Sequence, residues 1–306
     1  MTDTTIDEAL AAWKALPECG EAREVERLGG LTNRVYRIAT DRKAYCLRIP
    51  GEGTEEYINR RHEARAAIEA ARVGVGAPVV HFSDETGICV TEFLAGATTM
   101  SAELFKTRKG APGRAGAALR HLHVSDATFE NRFELFAMVD DYMKILDARN
   151  ATLPDGYREA MGAAESVRAA LAAHPLPIVA CHCDPLCENF LDTGSRMWIV
   201  DWEYSGMNDP MWDLGDLSVE GQMSPDQEEE MLAAYFGTAP SPADRGRVVI
   251  YKAMCDFLWT LWGLIQHVNQ NPADDFWAYS LTRFNRCQTL MASQVFKQAI
   301  ADVARG

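Results

Sequence analysis

The ten residues CHCDPLCENF, at positions 181–190, decide between two interpretations of this chain. Three cysteines and a histidine lie within seven residues of one another, from Cys181 to Cys187, and such a cluster suggests a zinc site. The same letters contain His182, Asp184 and Asn189, an acid and an amide at a spacing used for phosphoryl transfer. The sequence around this segment distinguishes the two interpretations.

A zinc site is disfavoured by the distribution of the cysteines. A structural zinc ion usually takes four ligands, arranged as two close pairs that a longer loop separates. Here the other five cysteines are scattered singly along the chain. Adjacent residues of a strand point to opposite faces, so His182 and Cys183 cannot share a metal without a bend. The cysteines are therefore interpreted as reduced thiols that behave as small hydrophobic residues.

Phosphoryl transfer needs a base for the attacking hydroxyl and oxygen ligands for magnesium. Asp184 supplies the base, and Asn189 can return beside it across a tight loop that contains Pro185. Asp201 follows the apolar run 197–200, where a strand would deliver a second metal ligand. We expect His182 to support this loop through hydrogen bonds.

Length, charge and apolar patterning narrow the class of protein. The chain has 306 residues, enough for one large domain or two lobes that share a core. Its net charge of −14 argues against a nucleic-acid binder, which needs a basic surface. Charges break the apolar stretches within a few residues, so no membrane insertion is predicted. The first residues, MTDTTIDEAL, are acidic where an export signal is basic, so a cytoplasmic protein is expected.

The patterning divides the chain into two parts. Residues 24–49 predict three strands, a helix is predicted from Glu55 to Val73, and segments 78–83 and 87–93 predict two more strands. After Leu94 the periodicity becomes helical, interrupted by one β-like region around residues 178–203. The predicted helices cover 112–123, 133–149, 157–173, 226–236, 245–269 and 274–300. These elements predict an α+β fold, with a sheet-rich small lobe before a larger, mostly helical lobe.

At this point the chain resembles a known family. CHCDPLCENF and IVDWEYSGMNDPMWDLGDL resemble the catalytic loop and metal-binding segment of choline and ethanolamine kinases. That family belongs to the aminoglycoside-phosphotransferase-like group, which has a bilobal, protein-kinase-like fold. The resemblance extends to LGGLTNRVYRI, YCLRIPG and CDFLWTLWGLIQ, and so covers most of the chain. It implies an ATP- and Mg²⁺-dependent kinase for the hydroxyl of choline or ethanolamine. The implied parts are a nucleotide-binding lobe at 1–93, a hinge at 94–97 and a catalytic lobe at 98–306.

The resemblance also assigns the residues of the nucleotide site. The turn between the first two strands would cover the ATP phosphates, with Thr32 and Asn33 as its contacts. Arg48 would contact the α- and β-phosphates, and Glu63 is its candidate ion-pair partner, with Glu55, Glu56 and Glu69 as competitors. The hinge would hold the adenine through backbone groups at Glu92 and Leu94.

The substrate would be held by aromatic rings, because a quaternary ammonium cannot donate hydrogen bonds. Trp259, Trp262 and Asp256 share one face of a predicted helix. Periodicity alone divides the two tryptophans evenly between a substrate cage and the core, and the resemblance favours the cage. The other candidates are Tyr279, Tyr204, Trp212 and Glu203, of which the last could instead reach a second magnesium.

Several residues are expected to have structural roles. Asp213 and Asp216 should brace the catalytic loop, and His121 and His123 should pack at the end of a helix. Cys183 stands where the family often has asparagine, and its side chain should point away from the reactive face. The alternatives are a kinase of the same fold for an aminoglycoside, homoserine or a sugar-like alcohol, and a pseudokinase. A pseudokinase would usually have lost Asp184, Asn189 or Asp201.

Overall fold

A five-stranded antiparallel sheet forms most of the N-terminal part of the molecule. The computed structural model describes residues 4–16, 19–29, 33–51, 53–54 and 58–306. The strands of the sheet have the order β1-β2-β3-β5-β4. This confirms the sheet that was predicted from the β-branched and aromatic residues of these segments. The elements of this part are α1 (Thr4–Lys14), β1 (Glu24–Gly29), β2 (Arg34–Ala39), β3 (Ala44–Ile49), α2 (Arg60–Arg72), β4 (Val79–Phe82) and β5 (Cys89–Glu92).

The two helices of this part differ from the prediction. Helix α1 was not predicted, and its Trp13 packs on Tyr45 of the sheet with ring centroids 5.4 Å apart. Helix α2 begins at Arg60 because the Asn59 side chain caps it, accepting hydrogen bonds from two backbone N–H groups of the first turn. The predicted start at Glu55 lies outside the described residues.

The C-terminal part is mostly helical and carries two small sheets. The order β6-β8-β9 forms one sheet, and β10 pairs with β7 in the other. Its helices are α3 (Ala102–Thr107), α4 (Ala111–His123), α5 (Leu135–Ala148), α6 (Tyr157–Ala173), α7 (Met211–Glu220), α8 (Pro225–Phe236), α9 (Pro242–Val268), α10 (Phe276–Ala292) and α11 (Gln294–Arg305). Its strands are β6 (Thr98–Thr99), β7 (Val179–Cys181), β8 (Phe190–Asp192), β9 (Met197–Ile199) and β10 (Gly206–Asn208).

Two helix predictions in this part need correction. The single helix predicted over 274–300 is wrong, because Ser293 adopts an extended conformation and its side chain caps α11 by accepting from the Phe296 N–H. Helix α9 begins at Pro242, three residues before its predicted start, because Ser241 and Asp244 form a capping box. Helices α3 and α7 were not predicted.

Helix α9 is the central helix of the C-terminal core. It has 27 residues, and an 18-residue window within it is apolar enough to span a membrane by length and composition. This corrects the expectation that charges break every apolar stretch within a few residues. Because 89% of that window is buried inside the protein, α9 is a core helix.

The end of α2 is fixed to the C-terminal part by three successive carbonyl groups. The Val73 carbonyl contacts Nε2 of His121 at 2.7 Å, and the Val75 carbonyl accepts from the Ile199 N–H at 3.1 Å. The Gly74 carbonyl between them accepts from the Arg196 guanidinium. His121 therefore has a hydrogen-bonding role beyond the packing expected for it.

Helices α4 and α8 approach so closely that only glycine fits between them at one point. A Cβ added at Gly116 would lie 2.3 Å from the backbone carbonyl oxygen of Met231. We expect Gly116→Ala to destabilise the protein by about 2–3 kcal/mol in urea unfolding. Gly162 of α6 is the control, because a Cβ there has no neighbour within 4 Å. Gly162→Ala should stabilise by about 0.5–1 kcal/mol, and equal effects of the two variants would contradict the packing argument.

Candidate active site

The catalytic loop connects β7 to β8 and folds back on itself. Its 3₁₀ turn, Cys187–Asn189, returns Asn189 beside Asp184, as the spacing predicts. The Asn189 Nδ2 donates to the Asp184 carbonyl oxygen at 2.9 Å, which leaves the amide oxygen of Asn189 available as a ligand. Cys183 turns the loop with a φ of 67° and buries its thiol 3.9 Å from the Gly206 carbonyl oxygen.

Asp213 holds the start of this loop from helix α7. Its two carboxylate oxygens accept from the backbone N–H groups of His182 and Cys183, each at 2.8 Å. The His123 ring links this carboxylate to Tyr235, with Nε2 2.9 Å from Asp213 Oδ2 and Nδ1 2.9 Å from the tyrosine oxygen. His123 therefore does more than pack at a helix end. The position of His123 at the end of a predicted helix was the signal that the sequence offered for this residue.

His182 connects the loop to the segment that carries Asp201. Its Nε2 lies 2.9 Å from the Val200 carbonyl oxygen, next to Asp201 in the chain. Burial lowers the pKa of His182, although Asp213 opposes this effect. The neutral ring thus serves as a hydrogen-bonding support, which is the arrangement expected from the sequence.

The cluster of His123, Cys181 and Asp213 resembles a metal site by distance, because their ligand atoms lie within 4.8 Å of one another. The Asp213 oxygens are already engaged by two N–H groups and an imidazole. Burial also raises the pKa of the Cys181 thiol well above its ordinary value. All eight cysteines, each within the described residues, are free thiols. These groups brace the catalytic loop.

Asp201 lies at the centre of an ionic network between the two parts of the molecule. It follows β9 with a φ of 65°, and its Oδ1 accepts from Arg48 Nη1 at 2.8 Å. Arg48, on β3, also pairs with the buried carboxylate of Glu63 on α2. Of the competing acids, Glu69 pairs with Arg72 at 2.8 Å, while Glu55 and Glu56 lie outside the described residues.

Glu203 belongs to this ionic network. Among the described residues, its carboxylate pairs with this network and not with the aromatic residues that were predicted to bind the substrate. Its Oε2 lies 3.8 Å from Arg48 Nη1, 3.4 Å from Arg60 Nη1 and 3.2 Å from Asn33 Nδ2. Burial raises the pKa of Glu203, and the neighbouring Asp201 raises it further. The placement favours the metal alternative for Glu203. Arg60 was missed, although its position three residues before Glu63 on one helix was a signal.

The remaining residues predicted for the nucleotide site are Thr32, Asn33, Glu92 and Leu94. Thr32 falls outside the described residues. Asn33 is buried, and its Oδ1 has no hydrogen-bond partner within the described chain. The Glu92 side chain pairs with Lys43 near the surface, so only the backbone of Glu92 remains for a hinge contact. Leu94 is partly buried beside it.

Asp184 lies in an acidic environment. Burial raises its pKa well above the ordinary value, and the carboxylates of Asp216, Asp201, Glu203 and Glu220 raise it further. Bound cations would oppose each of these effects, because an opposite charge favours the ionised carboxylate. The site can therefore accommodate both a metal ion and a cationic substrate.

Four of the predicted aromatic residues form an aromatic wall of two pairs, with Trp259 and Trp262 on α9, Tyr279 on α10 and Tyr204 between β9 and β10. Trp259 meets Tyr204 edge to face with ring centroids 5.2 Å apart, and Trp262 meets Tyr279 at 5.7 Å. Both tryptophans are nearly buried, at 4% and 7% exposed. Phe276, which the sequence does not predict at this site, packs on Trp262 with ring centroids 5.6 Å apart.

Two substrate-site predictions are not brought to this wall. Trp212 is fully buried and donates from Nε1 to the Cys183 carbonyl oxygen at 2.9 Å, so it supports the loop from the core. Asp256 is also fully buried, and its oxygens accept from Arg283 at 3.1 Å and from Arg286 at 2.5 Å. Asp256 is therefore an anchor for arginines behind the wall.

Helix α7 contributes two further acids. Asp216 does not hydrogen-bond the catalytic loop as predicted; its Oδ2 instead accepts from Trp259 Nε1 at 3.1 Å. Glu220 was missed, although it lies one helical turn after Asp216. It lines a cavity of about 310 Å³ together with Tyr279 and Arg283.

This combination of a sheet-bearing lobe, a helical lobe and a base beside oxygen ligands defines a small-molecule phosphotransferase. Residues 24–251 match the family model described as "Phosphotransferase enzyme family". A solved choline/ethanolamine kinase family protein from Mesorhizobium loti is 60% identical, with a TM-score of 0.91 over 99% of this chain and 100% of its own. The chain belongs to the choline/ethanolamine kinase family within these phosphotransferases.

Two more distant proteins show the same similarity. The choline kinase LicA of Streptococcus pneumoniae is 29% identical, with a TM-score of 0.80 over 94% of this chain and 99% of its own. Ethanolamine kinase 2 of Mus musculus is 26% identical over 319 aligned residues, covering 92% of this chain and 78% of the mouse protein.

Proposed function

We propose that this protein transfers the γ-phosphoryl group of ATP to the hydroxyl of choline or ethanolamine, in the cytoplasm. The observation that carries this proposal is that Asp184 and Asn189 lie together on a single loop, while Asp201, which pairs with Arg48, is near enough to raise the pKa of Asp184. The family supports the substrate class, because its solved members carry the names choline kinase and choline/ethanolamine kinase. A pseudokinase is not favoured, since all three functional side chains are present.

The nucleotide would lie between the sheet and the helical part. Arg48, which Glu63 holds in place, would contact the phosphates with its guanidinium fork. The oxygens of Asn189 and Asp201 suit Mg²⁺, which when bound neutralises charge on the phosphates, and Glu203 offers a further carboxylate. Asn33 would face the same phosphates from the turn after β1.

Asp184 would accept a hydrogen bond from the substrate hydroxyl and take its proton late in the transfer. Because the Asp213 carboxylate fixes the backbone just before it, Asp184 is held in position before the substrate arrives. The ammonium group of the substrate would lie against the aromatic wall, with Glu220 and Asp216 supplying negative charge.

The test is ATP turnover with magnesium against choline, ethanolamine, their methylated intermediates, homoserine and kanamycin. The proposal predicts turnover of choline or ethanolamine at least tenfold above that of homoserine and kanamycin. Turnover of kanamycin or homoserine alone would refute the substrate. Absence of turnover with every alcohol would refute the enzymatic proposal.

The aromatic wall gives a specific prediction for Trp262. Its ring is nearly buried, and its Nε1 has no hydrogen-bond partner in the part of the chain that the structure describes. Trp262→Leu should raise the KM for the amino alcohol about tenfold with the KM for ATP unchanged, because a desolvated cation–π contact is worth roughly 1–2 kcal/mol. Trp262→Phe keeps a π-face and sacrifices no hydrogen bond, so its KM should stay within about threefold. Equal values for the two variants would place Trp262 in the core.

A further inference from the structure

A resident cation, Arg283, already occupies the edge of the pocket proposed for a cationic substrate. Arg283 is 6% exposed and pairs with Glu220 at this pocket and with Asp256 behind the aromatic wall. Its Nη2 donates to Glu220 Oε1 at 2.5 Å, and its Nη1 donates to Asp256 Oδ1 at 3.1 Å. Its guanidinium also lies over the ring of Tyr279, 4.7 Å from the centroid.

These contacts change what the pocket offers to a substrate. One oxygen of Glu220 is bound by Arg283, and both oxygens of Asp256 are bound by arginines. One face of Tyr279 is already covered by a cation. Of the two acids proposed to face the substrate, Glu220 is therefore partly neutralised by Arg283, whereas Asp216 accepts a hydrogen bond from the Trp259 indole.

A primary ammonium and a quaternary ammonium respond differently to such a pocket. A primary ammonium loses strong hydrogen bonds to water on entry and needs acceptors to replace them. A quaternary ammonium has no N–H group, so its attraction to aromatic faces carries its binding. A pocket in which Glu220 is already occupied by a resident cation therefore penalises the primary cation more than the quaternary one.

We propose that Arg283 is a specificity-determining residue that, by occupying Glu220, makes the pocket prefer a quaternary ammonium alcohol to a primary one. This inference rests on the proposed function, since it concerns the same substrate site. Arg283 acts through Glu220 and Tyr279 and is not a catalytic residue.

The test compares kcat/KM and calorimetric Kd for choline and ethanolamine in wild type and Arg283 variants. Wild type should favour choline. Arg283→Met and Arg283→Gln remove the charge and free Glu220, so each should shift the choline-to-ethanolamine ratio at least about tenfold toward ethanolamine. Arg283→Lys keeps the charge and should leave the ratio within about threefold of wild type.

Arg286→Met is the matched control, because Arg286 binds Asp256 from the same helix and makes no hydrogen bond to Glu220. Its ratio should stay within about twofold of wild type. Adding Glu220→Gln to Arg283→Met should return the ratio toward wild type, because the freed carboxylate is then absent. Circular dichroism and thermal unfolding identify variants that fold, and the Gln and Lys variants decide the comparison if Met does not.

The outcomes separate this inference from the proposed function. A protein that binds choline selectively without transferring phosphate would defeat the proposed function and leave the role of Arg283 standing. A folded charge-removing variant with an unchanged ratio would overturn the role of Arg283 while the kinase activity stands. A wild-type preference for ethanolamine, or binding of neither alcohol, would also overturn it.

Discussion

Replacement of Asp184 by asparagine is expected to lower kcat by about three orders of magnitude while the KM for ATP changes less than about threefold. Asparagine keeps the shape of the side chain but cannot take the proton of the hydroxyl. The loop should keep its fold, because its hydrogen bonds run through the Asp184 carbonyl oxygen and the Asp213 carboxylate. The measurement is steady-state turnover, with nucleotide affinity determined separately by calorimetry.

The same variant should be more stable than wild type, which separates lost chemistry from misfolding. Burial and neighbouring acids raise the pKa of Asp184, so its contribution to stability is present at low pH and declines as pH rises through that folded-state pKa. At pH 8, without ligands, Asp184→Asn should therefore raise Tm by at least about 2 °C. Glu188→Gln changes an exposed residue of the same loop and should alter neither kcat nor Tm. If the kcat of Asp184→Asn stayed within tenfold of wild type, Asp184 would not be the base that takes the proton of the hydroxyl.

The catalytic loop could be predicted because its determinants are local. Asp184, Asn189 and their tight turn lie within six residues, and Asp201 follows its own short strand. The Arg48–Glu63 pair was expected only from the resemblance. Its partner choice depends on how α2 lies over the sheet, which no short-range pattern specifies.

The orientation of residues on α9 could not be predicted, for a physical reason. Every residue of α9 from Ala253 to Gln266 is buried, so an apolar face and a polar face cannot be distinguished by periodicity in this part of the helix. Asp256 and Trp259 share a helical face by spacing, yet Asp256 binds arginines while Trp259 binds Asp216. The contacts from α7 and α10 decide these pairings, and they come from distant parts of the sequence.

Helix α7 also could not be predicted from the sequence. Its residues were interpreted as part of a metal-binding segment, and every residue from Met211 to Val219 is buried. The buried acids Asp213 and Asp216 make a helix of this composition hard to recognise, because acids usually mark exposed faces. Their partners, two backbone N–H groups and an indole, become visible only in three dimensions.

Asp201→Asn is expected to lower kcat by about three orders of magnitude and to raise the Mg²⁺ concentration needed for half-maximal rate. Asparagine tolerates the left-handed backbone at this position, where φ is 65°, so the segment should keep its conformation. The variant loses the charged oxygen ligand and the ionic partner of Arg48. The measurement is turnover as a function of Mg²⁺, with Asp155→Asn, an exposed acid distant in sequence, as the control.

A metal-swap experiment separates a ligand role for Asp201 from a purely electrostatic one. A thiolate binds Cd²⁺ far better than Mg²⁺, so Asp201→Cys should regain at least tenfold in rate when Cd²⁺ replaces part of the Mg²⁺. The backbone should accept cysteine, because Cys183 already adopts a φ of 67° in this protein. Wild type should not gain from Cd²⁺ under the same conditions. A cysteine variant that stays inactive with Cd²⁺ but folds and binds ATP normally would assign Asp201 to holding Arg48 alone, because an ion-pair partner offers no route to rescue by a thiophilic metal.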